Sequence, residues 1–377
     1  MSEHRLSFPW RVERRSRPKR LVTYRVTGAV IGFAIALALA PLLAPSVGTD
    51  IYTFVWNGTF GTPFGITNLL LISVPLVLAG LAVALAYRIG LWNVGVEGQI
   101  LMGAWLALFI AFKMSGASGF VLVPIMFVAG AVGGALWMLI PAVARVFLGI
   151  NEIVTTFLLN FGAVAWMSYW VRGDWFDQAA GGGGTRSRPV PVNSQLGEVD
   201  FGSVTAHWGV FLAVGIPIVA WLLLAMTRSG FEFSLAGAAP RTGRYAGINV
   251  ERKMLSIMLL SGAISGFVGV VNMVGNTHYY GDALANDFGY AALAIAVLAG
   301  GSPLAVIPVG VLYGAVLLGG DSMSVAGVAP EAVLAMIGLI LVLAASGEAL
   351  ARMRFVRTKA SKRRVTSPSV QRQEEVA

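Results

Sequence analysis

The chain has 377 residues, of which 56% are hydrophobic and only 12% are charged. Soluble domains carry about 25% charged residues, so this composition excludes a soluble globular protein and predicts an integral membrane protein. The net charge of +9 does not indicate nucleic-acid binding, because most Lys and Arg residues lie in the two tails and one interior loop, as membrane orientation requires. Cysteine is absent and the three histidines show no ligand spacing, so a metal site is not expected.

Apolar runs define the expected architecture, since a membrane-spanning helix needs roughly 20 apolar residues. Residues 1–25 are predicted to form a basic tail, residues 26–350 the transmembrane domain, and residues 351–377 a second basic, disordered tail. We predict an all-α polytopic fold with about ten spans. They are Val26–Ala44, Ile66–Tyr87, Arg88–Phe112, Phe120–Ile140, Ile150–Val171, Gly209–Thr227, Met254–Met273, Phe288–Gly300, Leu304–Leu318 and Val333–Ala345.

Two of these apolar runs match a complete membrane-spanning helix poorly. Arg88–Phe112 is interrupted by glycines in its first half, and Phe288–Gly300 is short. Each of them crosses the membrane fully, re-enters it, or crosses only half of it. Four connecting segments are placed on the outer side. They are Ser46–Gly65, the irregular segment Arg172–Trp208, the loop Val274–Asp287, and Asp321–Pro330.

The distribution of positive charge predicts the orientation. With both termini cytoplasmic, all but four of the 27 Lys and Arg residues fall on the inner side. The four exceptions are Lys113, Arg172, Arg186 and Arg188. Cytoplasmic segments of membrane proteins are rich in Lys and Arg, so we predict a multi-pass plasma-membrane protein with both termini inside.

Residues Arg228–Lys253 form a polar, glycine-rich stretch with five positive charges between two apolar runs. A loop that only joins two helices could be much shorter. One interpretation is a surface that meets a cytoplasmic partner. The other is a solvated connector that carries orientation charge.

Polar residues inside predicted spans are the second feature. Glu97 and Glu152 each lie near the start of a span, with Asn93 and Asn151 close by. A carboxylate in a membrane is costly and usually faces a cavity or a partner. The alternative is a helix-start carboxylate stabilised by the helix dipole. Asn272 lies near the outer end of another span, where it either contacts solute or packs.

The sequence contains no GxSxG, HExxH or Walker A motif and no paired catalytic carboxylates with a base. We therefore expect a protein that is not an enzyme. If ATP powers transport, another subunit hydrolyses it.

Three segments resemble permease subunits of nucleoside and simple-sugar ABC importers, the ribose-type branch. LWNVGVEGQILMGA (Leu91–Ala104) resembles the family signature GLxNxGxEGQ. INEIVTTFLLNF (Ile150–Phe161) is similar to an NExxxTxxLN segment, and Gly230–Lys253 resembles the cytoplasmic coupling loop. The resemblance extends from about Ile66 to Gly347.

The resemblance implies a permease like those of type II ABC importers. Its partners would be ABC ATPase subunits carrying ATP and Mg, a second permease subunit, and an extracytoplasmic substrate-binding lipoprotein. A heterodimer is favoured over a homodimer, and this chain itself would bind no cofactor. Residues implied to couple to the ATPase are Glu232, Arg241, Arg244, Tyr245, Gly247 and Asn249. Residues implied to shape or line the pathway are Asn93, Glu97, Gln99, Asn151, Glu152, Thr156, Asn160 and Asn272.

Three alternatives stay open at this point. The solute is a nucleoside or a simple sugar such as ribose or galactose. An ion-coupled secondary transporter would use Glu97 or Glu152 to bind the coupling ion. A membrane assembly or anchoring protein would move nothing and would use its buried polar groups for packing.

Overall fold

The computed structural model describes residues 10–14, 48–180, 186–329 and 353–357, with scattered positions between 31 and 41 and between 331 and 346. The first and last predicted spans, Val26–Ala44 and Val333–Ala345, lie largely outside the described residues. The predicted count of ten spans is therefore not tested.

Helices dominate the described part of the chain. In order they are α1 (Ile51–Trp56), α2 (Pro63–Arg88), α3 (Val96–Lys113), α4 (Gly119–Leu148), α5 (Glu152–Arg172), α6 (Gly209–Met226), α7 (Arg228–Ala238), α8 (Pro240–Tyr245), α9 (Val250–Asn272), α10 (Phe288–Ala299) and α11 (Val306–Val325). Among the described residues, seven helices are long and apolar enough to cross a membrane. The prediction of an all-α polytopic membrane protein is confirmed.

Helices α3, α4 and α9 pack through a glycine seam, which we define as Gly103, Gly130, Gly134, Gly262 and Gly266. A Cβ added to Gly103 would overlap the backbone of Gly266, and one added to Gly266 would overlap the backbone of Gly130. The three helix backbones are thus in direct contact. Small residues allow this close approach in membranes, where dispersion contacts rather than the hydrophobic effect drive association.

Helix α2 is the centre of the other half of the bundle. Its residues from Ser73 to Ala86 are all buried, and it packs against α9, α10 and α11. A helix that is apolar all round belongs in the interior of a large protein. Helix α2 thus joins the glycine-seam helices to the C-terminal helices.

The two apolar runs that match a complete span poorly form helices shorter than the predicted runs. Beyond Arg88, the run Arg88–Phe112 becomes helical again only at Val96, and residues Ile89–Gly95 lie outside both helices. Helix α10 has 12 residues, which at 1.5 Å each gives about 18 Å, well short of the roughly 30 Å hydrocarbon core. For Phe288–Gly300 these bounds favour the incomplete crossing that the sequence had left open as an alternative. For Arg88–Phe112 they place a non-helical stretch before a helix that is long enough to cross.

The outer segments contain more regular structure than predicted. Ser46–Gly65 holds α1 and a π-helical turn at Asn57–Gly61. The segment Arg172–Trp208 has little helix, as predicted, and it contains an antiparallel hairpin of β2 (Glu198–Phe201) and β3 (Val204–His207).

The two tails pair with each other. Strand β1 (Trp10–Arg14) pairs antiparallel with β4 (Met353–Arg357), with Val12 opposite Phe355. The prediction of a disordered tail after Ala351 is therefore wrong for Met353–Arg357, because these residues pair with a strand of the N-terminal tail.

Candidate functional site

The polar stretch Arg228–Lys253, here called the coupling segment, folds into two short helices and the first turn of α9. Thr227 begins α7 by accepting a hydrogen bond from the Gly230 N–H (3.2 Å). Asn249 begins α9 in the same way, accepting from the Arg252 N–H (2.8 Å). Between them, Gly247 has φ +77°, a left-handed conformation that glycine adopts without strain. Local capping and turn residues thus fold this segment.

Ion pairs attach the two short helices to α9. Glu232 of α7 pairs with Lys253 of α9 (2.6 Å) and with Arg228 (2.9 Å). The hydrogen bond from Lys253 is the main reason why the pKa of the Glu232 carboxyl lies below its ordinary value. Arg244 of α8 pairs with Glu251 (2.5 Å). The coupling segment is therefore held to a membrane-spanning helix at two points.

The outward surface of the coupling segment is partly apolar. Tyr245 is 94% exposed and Phe231 is 65% exposed. Arg241 is also exposed and forms no ion pair with any residue in the described ranges. Exposed aromatic and Arg side chains typify protein interfaces. The predicted coupling residues thus divide into a set that organises the segment (Glu232, Arg244, Gly247 and Asn249) and a set that is free to contact a partner (Arg241 and Tyr245).

The coupling segment touches the non-helical residues Ile89–Gly95, here called the break. Gly237, in the last turn of α7, packs against the backbone of Ile89, and an added Cβ would overlap it. The break then leads directly into α3 at Val96. A displacement of α7 would therefore act on the break.

Side chains of α5 satisfy the backbone of the break and of the first turn of α3. They accept hydrogen bonds as follows: Glu152 from Trp92 (3.4 Å), Thr156 from Val94 (3.3 Å) and Asn160 from Gly98 (2.9 Å). The spacing of four residues places all three on one face of α5. Much of the break is buried, and a buried backbone N–H group without a partner is costly, so these side chains stabilise its non-helical conformation.

Two further predicted residues complete this network inside the bundle. The Asn93 amide donates to Gln99 (2.8 Å) and to Ser261 of α9 (2.8 Å), and Gln99 donates back to Asn93 (3.0 Å). Ser261 in turn donates to the Ala82 carbonyl of α2 (2.6 Å). Asn93 and Gln99 are buried. They therefore connect the break to α9 and α2.

Glu97 supplies a cap to another helix. Its Oε1 accepts from the Asp287 N–H (3.1 Å) and its Oε2 from the Gly289 N–H (2.7 Å), at the start of α10. A carboxylate at a helix N-terminus is stabilised by the unpaired N–H groups and the helix dipole. Glu97 also lies in the first turn of α3, so it serves the N-terminal ends of two helices.

The remaining predicted residues lie at the edges of this network. Asn272 is buried and donates to the Leu284 carbonyl (2.7 Å). Asn151 is exposed and caps α5 by accepting from the Ile153 N–H (2.9 Å). For the predicted pathway residues the described structure thus gives hydrogen bonds within the protein, and a role in contacting solute stays a prediction.

Sequence reasoning missed three members of the site. Arg145 pairs with the buried Glu152 (3.1 Å) across the turn at Gly149, and the opposite charges seven residues apart were a usable signal. Ser261 and Gly289 gave no such signal, because each lies in an apolar run far along the chain from its partner.

Residues 65–345 match the family described as "Branched-chain amino acid transport system / permease component". The glucose ABC transporter permease protein TsgB13 of Haloferax volcanii is 33% identical, covering 76% of this chain and 77% of its own length. The guanosine ABC transporter permease protein NupP of Bacillus subtilis is 29% identical, covering 82% and 88%.

A third relative, the nucleoside ABC transporter permease protein NupB of Lactococcus lactis, is 27% identical over 69% of this chain and 73% of its own length. Lactococcus lactis and Bacillus subtilis each have a second matching permease protein, NupC and NupQ, at 27% and 24% identity. The family match covers the coupling segment, the break and every long helix described above, and the chain therefore belongs to this family and is an ABC transporter permease, a multi-pass membrane protein.

Proposed function

We propose that this permease is the membrane-spanning subunit of an ATP-driven importer of nucleosides, and that the coupling segment binds the ATPase. The observation that carries the proposal is the exposed pair Tyr245 and Arg241 on a segment attached to α9 by two ion pairs. A surface that transmits force must be both accessible to its partner and rigidly joined to the helices it moves. The nucleoside and guanosine relatives support the choice of solute.

The coupling mechanism follows from the contacts. ATP binding brings the two ATPase subunits together, and the seated coupling segment moves with them. Helix α7 displaces the break through the contact of Gly237 with Ile89, and the ion pairs transmit the same movement to α9. A partner can shift a conformational equilibrium only if it binds the two states with different affinity. ATP and Mg belong to the ATPase in this scheme, and this chain performs no catalysis.

The remaining partners are a second permease subunit and an extracytoplasmic substrate-binding lipoprotein. The two matching permeases in each of Bacillus subtilis and Lactococcus lactis support a heterodimer. The pairing of β1 with β4 supports placing both tails on one side, and their positive charge supports the cytoplasmic side.

A simple sugar is the second candidate solute, favoured by the glucose permease relative at 33% identity. Uptake of labelled guanosine and labelled glucose by cells expressing the complete transporter separates the two. If cells take up guanosine and excess glucose does not reduce this uptake, the solute is a nucleoside. If they take up glucose and excess guanosine does not reduce that uptake, the solute is a sugar.

The partner is tested by co-purification with the ATPase in mild detergent. Tyr245→Ala and Arg244→Glu are expected to lose the ATPase, whereas Tyr169→Ala, which removes an exposed tyrosine from α5, is expected to retain it. The charge swap Arg244→Glu with Glu251→Arg restores the internal ion pair and shows whether Arg244 acts through Glu251 or directly. If no version of the chain, wild type included, retains an ATPase, the proposal is wrong.

A further inference from the structure

The two residues directly before α10 are polar, and their side chains are exposed on the surface of the bundle. Asn286 and Asp287 are exposed and have positive φ angles of 41° and 59°. Their side chains form no hydrogen bond or ion pair with the described part of the chain. One turn further on, Tyr290 of α10 is 41% exposed. We call Asn286, Asp287 and Tyr290 the midplane surface.

The position of this surface along the membrane normal follows from the helices α10 and α2. Helix α10 starts at the midplane surface and runs about 18 Å to Gly301, which contacts Arg88 at the end of α2. Helix α2 has 26 residues and is therefore about 39 Å long. Asp287 thus lies roughly halfway along a membrane-spanning helix. The prediction that Val274–Asp287 is entirely an outer loop is wrong at its C-terminal end, because Asp287 reaches Glu97 inside the bundle.

An exposed carboxylate at this depth cannot face lipid. Ionisable side chains within spans face a water-filled cavity or the bundle interior, because a charge in contact with hydrocarbon is costly. We infer that the midplane surface faces the aqueous translocation pathway and contacts the solute there. The pathway location rests on depth and exposure, and the identity of the solute rests on the function proposed above.

The chemistry of the surface fits a nucleoside. The Asp287 carboxylate and the Asn286 amide oxygen accept hydrogen bonds from ribose hydroxyls, while the Tyr290 ring offers a face for base stacking. A sugar would use the hydroxyl acceptors but would gain less from the aromatic face.

Glu97 holds the surface in place. It accepts hydrogen bonds from the N–H groups of Asp287 and Gly289, on either side of the position where the chain enters α10. Two consecutive non-glycine residues with positive φ are strained, and such strain persists only where surrounding contacts impose it. Glu97 is therefore a positioning residue, and Asp287 is the group that faces the pathway.

The absence of cysteine from the chain allows a direct test of accessibility. Single variants Asn286→Cys and Tyr290→Cys are made in the full chain, co-expressed with its transporter partners, and treated with a charged, membrane-impermeant thiol reagent. Val192→Cys, in the exposed outer segment, is the accessible control, and Leu158→Cys, exposed on an apolar helix face, is the lipid-facing control. Labelling at 286 and 290 that approaches the Val192→Cys rate, with none at 158, supports the inference. No labelling above the Leu158→Cys rate from either membrane side overturns it.

Solute contact is tested separately by uptake of labelled guanosine. Asp287→Asn is expected to lower uptake by roughly tenfold or more, since a hydrogen bond to a charged group contributes about 1.5–3 kcal/mol. Tyr290→Ala is expected to lower uptake because the aromatic face for base stacking is lost. Tyr290→Phe keeps the aromatic face and is expected to retain most uptake. Normal uptake by Asp287→Asn and Tyr290→Ala overturns solute contact. If wild type takes up no guanosine, the proposed function fails, and the labelling result still decides whether the surface faces the pathway.

Discussion

Glu97 and Gly289 fit together with no room for a side chain between them. The Oε2 atom of Glu97 accepts a 2.7 Å hydrogen bond from the Gly289 N–H. A Cβ at position 289 would lie 2.6 Å from that same oxygen and 2.6 Å from the Glu97 backbone nitrogen. The contact joins the first turn of α3 to the first turn of α10, which are almost two hundred residues apart in sequence.

Removing the Glu97 carboxylate is expected to destabilise the protein. Glu97→Ala leaves the buried Gly289 N–H and the partly buried Asp287 N–H without an acceptor, and an unsatisfied buried group costs about 1–3 kcal/mol. Glu97→Gln keeps one acceptor oxygen and is expected to lose less. Thermal unfolding in detergent, followed by tryptophan fluorescence, measures the difference. Ser256→Ala, which removes an exposed hydroxyl, is the control; a Glu97→Ala protein as stable as this control contradicts the capping role.

Filling the glycine seam is expected to disrupt helix packing. In Gly266→Ala the new methyl group overlaps the backbones of Gly130 and Gly134, which cannot move aside as a flexible side chain could. Gly162→Ala is the matched control, because its nearest neighbour beyond the helix is Trp137 at 3.5 Å, an ordinary contact. Size-exclusion profiles and yield of folded protein are compared. Equal yields for the two variants would show that the seam tolerates expansion.

Changing Gly237 is expected to uncouple ATP hydrolysis from transport. Gly237→Ala forces α7 away from Ile89, so the ATPase still hydrolyses ATP while less solute moves per ATP. Gly243→Ala lies in the same coupling segment, yet its new methyl group would make only ordinary contacts, with Val250 at 3.4 Å and Leu235 at 3.9 Å, and coupling should be nearly normal. Reconstituted vesicles give solute uptake and phosphate release together. If the ratio of solute uptake to phosphate release is unchanged in Gly237→Ala, the contact between α7 and the break does not transmit the movement.

The outer hairpin is expected to loosen in mild acid. His207 of β3 accepts from the Gly209 N–H at Nδ1 (3.0 Å) and contacts Asn276 through Nε2 (3.1 Å). Burial lowers the pKa of His207 below its ordinary value, against the raising effect of its hydrogen bond with Asn276. The native protein therefore binds fewer protons than the unfolded chain. The stabilisation is complete above the ordinary pKa of about 6.5 and is lost as pH falls from there towards the folded pKa.

Thermal unfolding at a series of pH values on both sides of 6.5 tests this sign. The wild type should lose stability across that window, and His207→Ala should show a flatter profile from a lower starting point. A His207→Ala profile that falls as steeply as the wild-type profile would assign the pH dependence to other groups.

Much of the organisation could be predicted from local sequence. Apolar runs located the long helices to within a few residues, as for Ile66–Tyr87 against α2 and Gly209–Thr227 against α6. The polar residues of the site were also found, because Glu97, Glu152 and Asn160 are conspicuous in apolar surroundings. Their partners were not found, since Ser261 and Gly289 lie in segments whose composition resembles any other membrane helix.

The sequence alone determined that this chain is a helical membrane protein with one charged interior segment, because the cost of placing charge in hydrocarbon leaves few other arrangements for so apolar a chain. Only the tertiary structure decided what the buried polar residues do. Hydrogen bonds such as those from Asp287 and Gly289 to Glu97 join positions far apart in sequence. No local pattern records which backbone group will lie within 3 Å of a given side chain, because that depends on how the helices pack against each other.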